Sequence, residues 1–152
     1  MTKTISTYSE DETVAVGRDL AATLSAGDVL LLSGDLGAGK TAFVRGLAEG
    51  LGVAREDVSS PTFTVIQEYR GGRLPLFHVD LYRIEDPREF DELGLDEIAE
   101  EGVLAIEWAE KLAARLKPSR YTSVRIHHRE GDLRAIEITN SPTHQGSNYS
   151  DR

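Results

Sequence analysis

Apolar and polar positions along this chain switch between helical and strand-like periods, and the switches mark its elements. Ser9-Glu10-Asp11-Glu12 is a capping-box pattern that starts a helix. Val16, Leu20 and Leu24 recur at fourth positions behind it and give that helix one apolar stripe. Ala26-Gly27-Asp28 ends it, and Asp28-Val29-Leu30-Leu31-Leu32 follows as an apolar run of buried-strand length. From Thr41 to Leu51 the period is helical again. Phe43, Leu47 and Leu51 share one face, and Gly50 and Gly52 mark the end.

The second half reads mostly as strands. Phe63 to Tyr69 and Leu74 to Tyr82 are β-rich and joined through Gly71-Gly72, which predicts a hairpin. Pro75 places the early part of the second run at a sheet edge. Short acidic helical segments follow, one starting at Asp86-Pro87 and one over Asp96 to Glu100. Val103-Leu104-Ala105-Ile106 is continuous and apolar, as a buried parallel strand requires. It runs through Glu107-Trp108 into a helix, Ala109 to Leu116, that stops at Pro118. Thr122 to His128 and Leu133 to Thr139 flank Glu130-Gly131-Asp132 as a second hairpin. Thr2 to Tyr8 alternates weakly and predicts a short edge strand. From about Asn140 the chain turns polar and rich in Ser, Gly and Asn, the composition of a disordered tail.

Composition narrows the class. The 152 residues suit one domain, large enough for a sheet covered on both faces. No apolar run approaches the ~20 residues of a membrane helix. The N-terminus lacks the apolar core of a signal peptide, so a cytoplasmic protein is expected. With no cysteine, thiolate metal sites are excluded. A net charge of −9 argues against unaided grip on nucleic acid. Arg115, Lys117, Arg120, Arg125 and Arg129 form a local basic group, read as a solvated face. His127 and His128 have no metal-like partner spacing.

The chemistry concentrates at Gly34-Asp35-Leu36-Gly37-Ala38-Gly39-Lys40-Thr41, which matches G-x-x-x-x-G-K-[ST] without gap or substitution. A strand precedes it and a helix follows, the context a phosphate-binding loop requires. Asp35, Leu36, Gly37, Ala38 and Gly39 would turn backbone N–H groups toward one point, and the helix start adds donors and partial positive charge. Lys40 would reach the β- and γ-phosphates of ATP or ADP, and the Thr41 hydroxyl would sit on Mg²⁺.

Hydrolysis needs an acid beside the metal and a group that places water. Two carboxylates close apolar strands: Asp80 after Leu76-Phe77-His78-Val79, and Glu107 after Val103 to Ile106. Spacing does not decide which one serves the metal. Thr62 and Thr64 lie in a region that senses the γ-phosphate in such enzymes. For Thr62 a ligand role and ordinary hairpin packing both stand, whereas Thr64 reads as a strand threonine. Trp108, the only tryptophan, packs in the core or lines the nucleotide site. His78, taken as one residue off the alternation of Asp80, reads as a structural histidine rather than a base.

Gly34 to Thr41, Ser60-Pro61-Thr62-Phe63, His78-Val79-Asp80-Leu81-Tyr82-Arg83 and Ile106-Glu107-Trp108 occur in one order. In these stretches the chain resembles the TsaE (YjeE) family over roughly Ser9 to Thr139. The resemblance implies a slow ATPase that binds ADP and acts on a complex of TsaD and TsaB. That complex places threonylcarbamoyl on adenosine 37 of tRNAs, so contact with tRNA would be indirect. It further implies phosphate and magnesium roles for Lys40 and Thr41, and makes Glu107 the magnesium-site carboxylate. Asp80 would be the aspartate needed for hydrolysis, and Trp108 would take part in turnover. Ser60, Thr62, His78, Asp80, Tyr82 and Arg83 fall in two switch-like segments. The expected fold is α/β, a P-loop NTPase-like three-layer sandwich with a mostly parallel central sheet, flanking helices and antiparallel hairpins. Residues 1–139 would form the single ATPase domain and 140–152 the tail. A P-loop small-molecule kinase and a non-catalytic nucleotide-dependent scaffold are the alternatives. Against the kinase, Arg83 to Glu101 is acidic and lacks the arginines of a lid.

Overall fold

A computed structural model describes residues 2–34, 38–53, 66–81, 94–107 and 121–140. At its centre lies β2 (Val29–Gly34), whose first four side chains are all buried. Parallel partners flank it on both sides, β5 (Val103–Glu107) and β6 (Thr122–His128). Burial on both faces is why its sequence is an unbroken apolar run. Leu30 and Leu32 point into one core cluster with Ala105, Val124 and Ile126, while Val29 and Leu31 join Leu104 and Ile106 in the other.

The sheet has seven strands in the order β1-β7-β6-β2-β5-β4-β3. β3 (Ile66–Tyr69) and β4 (Leu76–Asp80) form the predicted first hairpin, and β6 pairs with β7 (Arg134–Asn140) as the second. β1 (Thr2–Thr7) is the expected edge strand and pairs with β7. The architecture is therefore mixed α/β. The sheet is only partly parallel, not mostly so: β2 with β5, β2 with β6 and β4 with β5 are parallel, and the other three pairings are antiparallel. Short turns at 70–75 and 129–133 permit only antiparallel return, whereas parallel strands need long crossovers.

Three further positions differ from the sequence reading. β4 lies between β5 and β3, so Pro75 marks no sheet edge. Pro75 sits just ahead of the strand, where its missing N–H is not needed, and its carbonyl accepts from Val103 N at 3.0 Å. Asn140, placed in the polar tail by composition, is instead the last residue of β7 and accepts a hydrogen bond from Thr122 Oγ1. The third difference concerns the first helix.

That helix, α1 (Glu10–Ala21), starts as predicted: Glu12 N donates to the Ser9 hydroxyl, and the Glu12 carboxylate accepts from Tyr8 N. Its buried face, however, runs through Thr13, Val14, Gly17 and Ala21, while Val16 and Leu20 are only partly buried. Small residues face the core because α2 (Ala38–Gly50) packs against them closely. A side chain on Gly46 would bring its Cβ within 2.0 Å of the Val14 carbonyl. Charged pairs at the rim, Arg18 with Glu49 and Arg45 with Glu10, bridge the same two helices.

α2 begins three residues before the predicted Thr41 and ends in a Schellman pair, Gly52 N to Glu49 O and Val53 N to Ala48 O. At the matching end of α1, the Arg73 guanidinium donates to the carbonyls of Leu24 and Ala21 at 3.1 and 2.9 Å. On the opposite face of the sheet, Ile98 and Ala99 of α3 (Leu95–Ala99) pack against the core cluster that holds Leu31, Phe77, Leu104 and Ile106. No helix among the described residues is long and apolar enough to cross a membrane. The expected helix Ala109 to Leu116, the segment starting at Asp86 and the tail from 141 lie outside the described residues.

Candidate functional site

β2, β5 and β4 run parallel and end side by side, and α2 starts above them. The register sets Glu107 opposite Leu32 on one side and opposite Asp80 on the other. Neighbours in register share a face of the sheet, so Asp80 and Glu107 both point to the side that α2 covers. The crevice beyond the carboxyl ends of such strands is where open α/β sheets place their ligands.

The chain leaves β2 at Gly34, with φ of 125°. A Cβ here would lie 2.0 Å from the Ile126 carbonyl, so only glycine allows the backbone to pass this close to β6. Lys40 then falls in the first turn of α2 and is 5% exposed. Its Nζ lies 3.8 Å from Glu107 Oε1. Glu107 is 7% exposed, and its other oxygen, Oε2, lies 2.5 Å from Nε2 of His78. Burial raises the Glu107 carboxyl pKa, but the His78 hydrogen bond and the charges of His78 and Lys40 outweigh it. The group is held below the ordinary carboxylate value. An anion and a cation thus stand almost dry at the base of the crevice.

His78 departs from its sequence reading in orientation. It lies two residues before Asp80, so alternation puts both on one face, with Glu107. Counting positions in steps of two along Leu76 to Asp80 would have revealed it. The structure therefore brings Lys40, His78, Asp80 and Glu107 together, with Asp80 half-buried and Thr41, also half-buried, next to Lys40 on α2. Gly39 and the backbone of Ala38 belong to the same turn. Asp35, Leu36, Gly37, Ser60, Thr62, Thr64, Tyr82, Arg83 and Trp108 lie outside the described residues. Arg125 and Arg129 are exposed, as a solvated face requires. A cavity of about 170 Å³ opens between Ser9, Glu10 and Thr13 of the α1 start, Gly39 and Ala42 of α2, and Asp132 and Arg134 of the last hairpin.

A family described as "Threonylcarbamoyl adenosine biosynthesis protein TsaE" matches residues 7–136. The chain belongs to the TsaE family. It is 48% identical over 134 residues to the tRNA threonylcarbamoyladenosine biosynthesis protein TsaE of Bacillus subtilis, covering 88% of this chain and 82% of that TsaE protein. The corresponding TsaE protein of Nostoc is 46% identical, over 86% of this chain and 81% of its own. Among solved structures, YdiB of Bacillus subtilis superposes with a TM-score of 0.75 at 35% identity, covering all of this chain and 97% of its own. The TsaE match takes in β2, α2 and the ends of β4 and β5, so the whole described crevice falls inside it.

Proposed function

We propose that this chain is a magnesium-dependent ATPase of tRNA threonylcarbamoyladenosine modification, acting on TsaD and TsaB through ATP binding and hydrolysis. The single observation that carries the reading is the buried Lys40–Glu107 pair, whose lysine stands in the first turn of a helix that continues a complete phosphate-loop sequence. The names of its relatives supply the pathway. The central strands with α1 and α2 on one face and α3 on the other fit the sandwich of P-loop NTPases.

The residues present suit the ligands. A buried ammonium requires an anion, and a polyphosphate can replace Glu107 as the partner of Lys40. Thr41 and Glu107 would hold Mg²⁺, which keeps most of its shell as phosphate and water and so needs few protein donors. When bound, Mg²⁺ supplies neutralisation of the charge that builds on the phosphates. Lys40 grips the phosphate chain, and the α2 start adds its dipole. Asp80, beside Glu107 at the end of β4, orients the attacking water. Nothing in this set requires direct contact with tRNA.

The test measures phosphate release with and without TsaD and TsaB, for the native chain and for Lys40→Ala, Asp80→Ala and Glu107→Ala. Release stimulated by the partners and lost in all three variants is expected. Normal hydrolysis by the Asp80 and Glu107 variants would remove those acids from the reaction.

A further inference from the structure

His78 has 0% exposure, and its two ring nitrogens are treated unequally. Nε2 lies 2.5 Å from Glu107 Oε2. An ionised carboxylate only accepts, so Nε2 carries the hydrogen of that bond. Nδ1 is buried with no hydrogen-bond partner among the described residues. An apolar side chain would fill this place without that cost, so packing alone does not account for an imidazole. Opposite His78 on β5 stands Ala105, whose methyl group leaves the ring room to lean along the sheet toward Glu107.

The two oxygens of Glu107 differ in the same way. Oε2 is tied by a short hydrogen bond, while Oε1 meets Lys40 at 3.8 Å, too far for a direct one. One oxygen is fixed and the other is exchangeable. We infer that His78 is a positioning residue: its Nε2–H locks Oε2 and the side-chain rotamer of Glu107, so that Oε1 is the oxygen offered to a divalent cation arriving with a polyphosphate. This rests on the nucleotide site proposed above, and it assigns His78 a role that acts through Glu107, without contact to the reacting atoms.

The test uses the full chain and the fluorescent nucleotide mant-ADP, titrated first in EDTA and then at fixed nucleotide with rising Mg²⁺. Circular dichroism and thermal melting report the fold of each variant. His78→Leu removes the donor at similar volume. His78→Gln places an amide N–H near the position of Nε2, whereas the amide of His78→Asn stops near Nδ1. In EDTA the Leu variant should bind mant-ADP like the native chain. Its Mg²⁺ midpoint should rise about tenfold or more, the usual effect of losing the partner that orients a metal ligand. The Gln variant should recover most of that loss and the Asn variant should not. A folded Leu variant with a native Mg²⁺ midpoint overturns the assignment. If the Leu variant fails to fold, equal Mg²⁺ midpoints for Gln and Asn overturn it instead. A native chain that binds no mant-ADP, with or without Mg²⁺, would overturn the nucleotide reading itself and this assignment with it.

Discussion

Lys40 and Glu107 approach each other from different layers of the molecule, the ammonium from the first turn of α2 and the carboxylate from the end of β5, and meet 3.8 Å apart with both residues buried. Neither charge would be tolerated there alone. Each charge therefore offsets the burial of the other at the carboxyl end of the central strands.

Replacing Lys40 with Met keeps the aliphatic stem and removes the cation. Affinity for magnesium-ADP should fall about 100-fold or more, the effect expected when a charge-assisted contact worth about 3 kcal/mol is lost. Isothermal calorimetry on folded protein checks it, and unchanged affinity would show that Lys40 does not contact phosphate.

Glu107 makes stability depend on pH with a defined sign. Its carboxyl is held below the ordinary value of 4.5 in the folded chain. Its contribution is thus complete above the unfolded value and lost as pH falls through the lower folded one. Urea midpoints of the native chain should drop over that acidic window, and Glu107→Gln should drop less steeply there. Parallel curves would mean the shift carries no stability.

Adding one methyl group at Gly46 drives it against the Val14 carbonyl, a backbone atom that cannot turn aside. Gly46→Ala should lower stability by about 1–3 kcal/mol, the range for overpacking, despite the better helix propensity of alanine. Urea denaturation measures it. A more stable variant would mean the α1–α2 contact is looser than described.

Arg73→Met removes the donors to Ala21 O at the end of α1 and to Leu24 O beyond it while keeping the stem. A loss of about 1–3 kcal/mol is expected for two hydrogen bonds from a charged group. Arg73→Lys should recover little of it, since a point charge cannot span two carbonyls as the planar fork does. Urea midpoints for the two variants decide the matter.

β2 and α2 could be read from sequence because two independent signals coincide there, an apolar run without alternation and a glycine-spaced motif that calls for a strand before it and a helix after it. Glu107 and Asp80 were legible as strand-end acids for the same reason. The apolar stripe read for the first helix does pack on the core, with Leu24 buried and Val16 and Leu20 partly so, but hydrophobicity marks large residues and does not show the face that meets α2. Gly17 and Ala21 are buried for being small, a property the period of Val16, Leu20 and Leu24 does not carry. The share of parallel pairing was set too high because it depends on which strands meet across the sheet, as β1 meets β7, and that is not local. The resemblance already placed His78 in a switch-like segment, but the side of the sheet it takes follows from steps of two along β4, and its contact with Glu107 needs the register of β4 on β5, which no spacing along one strand supplies.

Arg73 stands at the other end of the helical layer. Its side chain holds the carbonyl of Ala21, the last residue of α1, and that of Leu24 just beyond it, and its own N–H is bonded to Leu51 O at the end of α2. One residue of a hairpin turn thus rivets both helices to the strand layer at the pole farthest from Lys40. Amide protons in the last turns of α1 and α2 should therefore exchange only when the entire molecule opens, making that pole the slow-exchanging anchor against which motion at the crevice is measured.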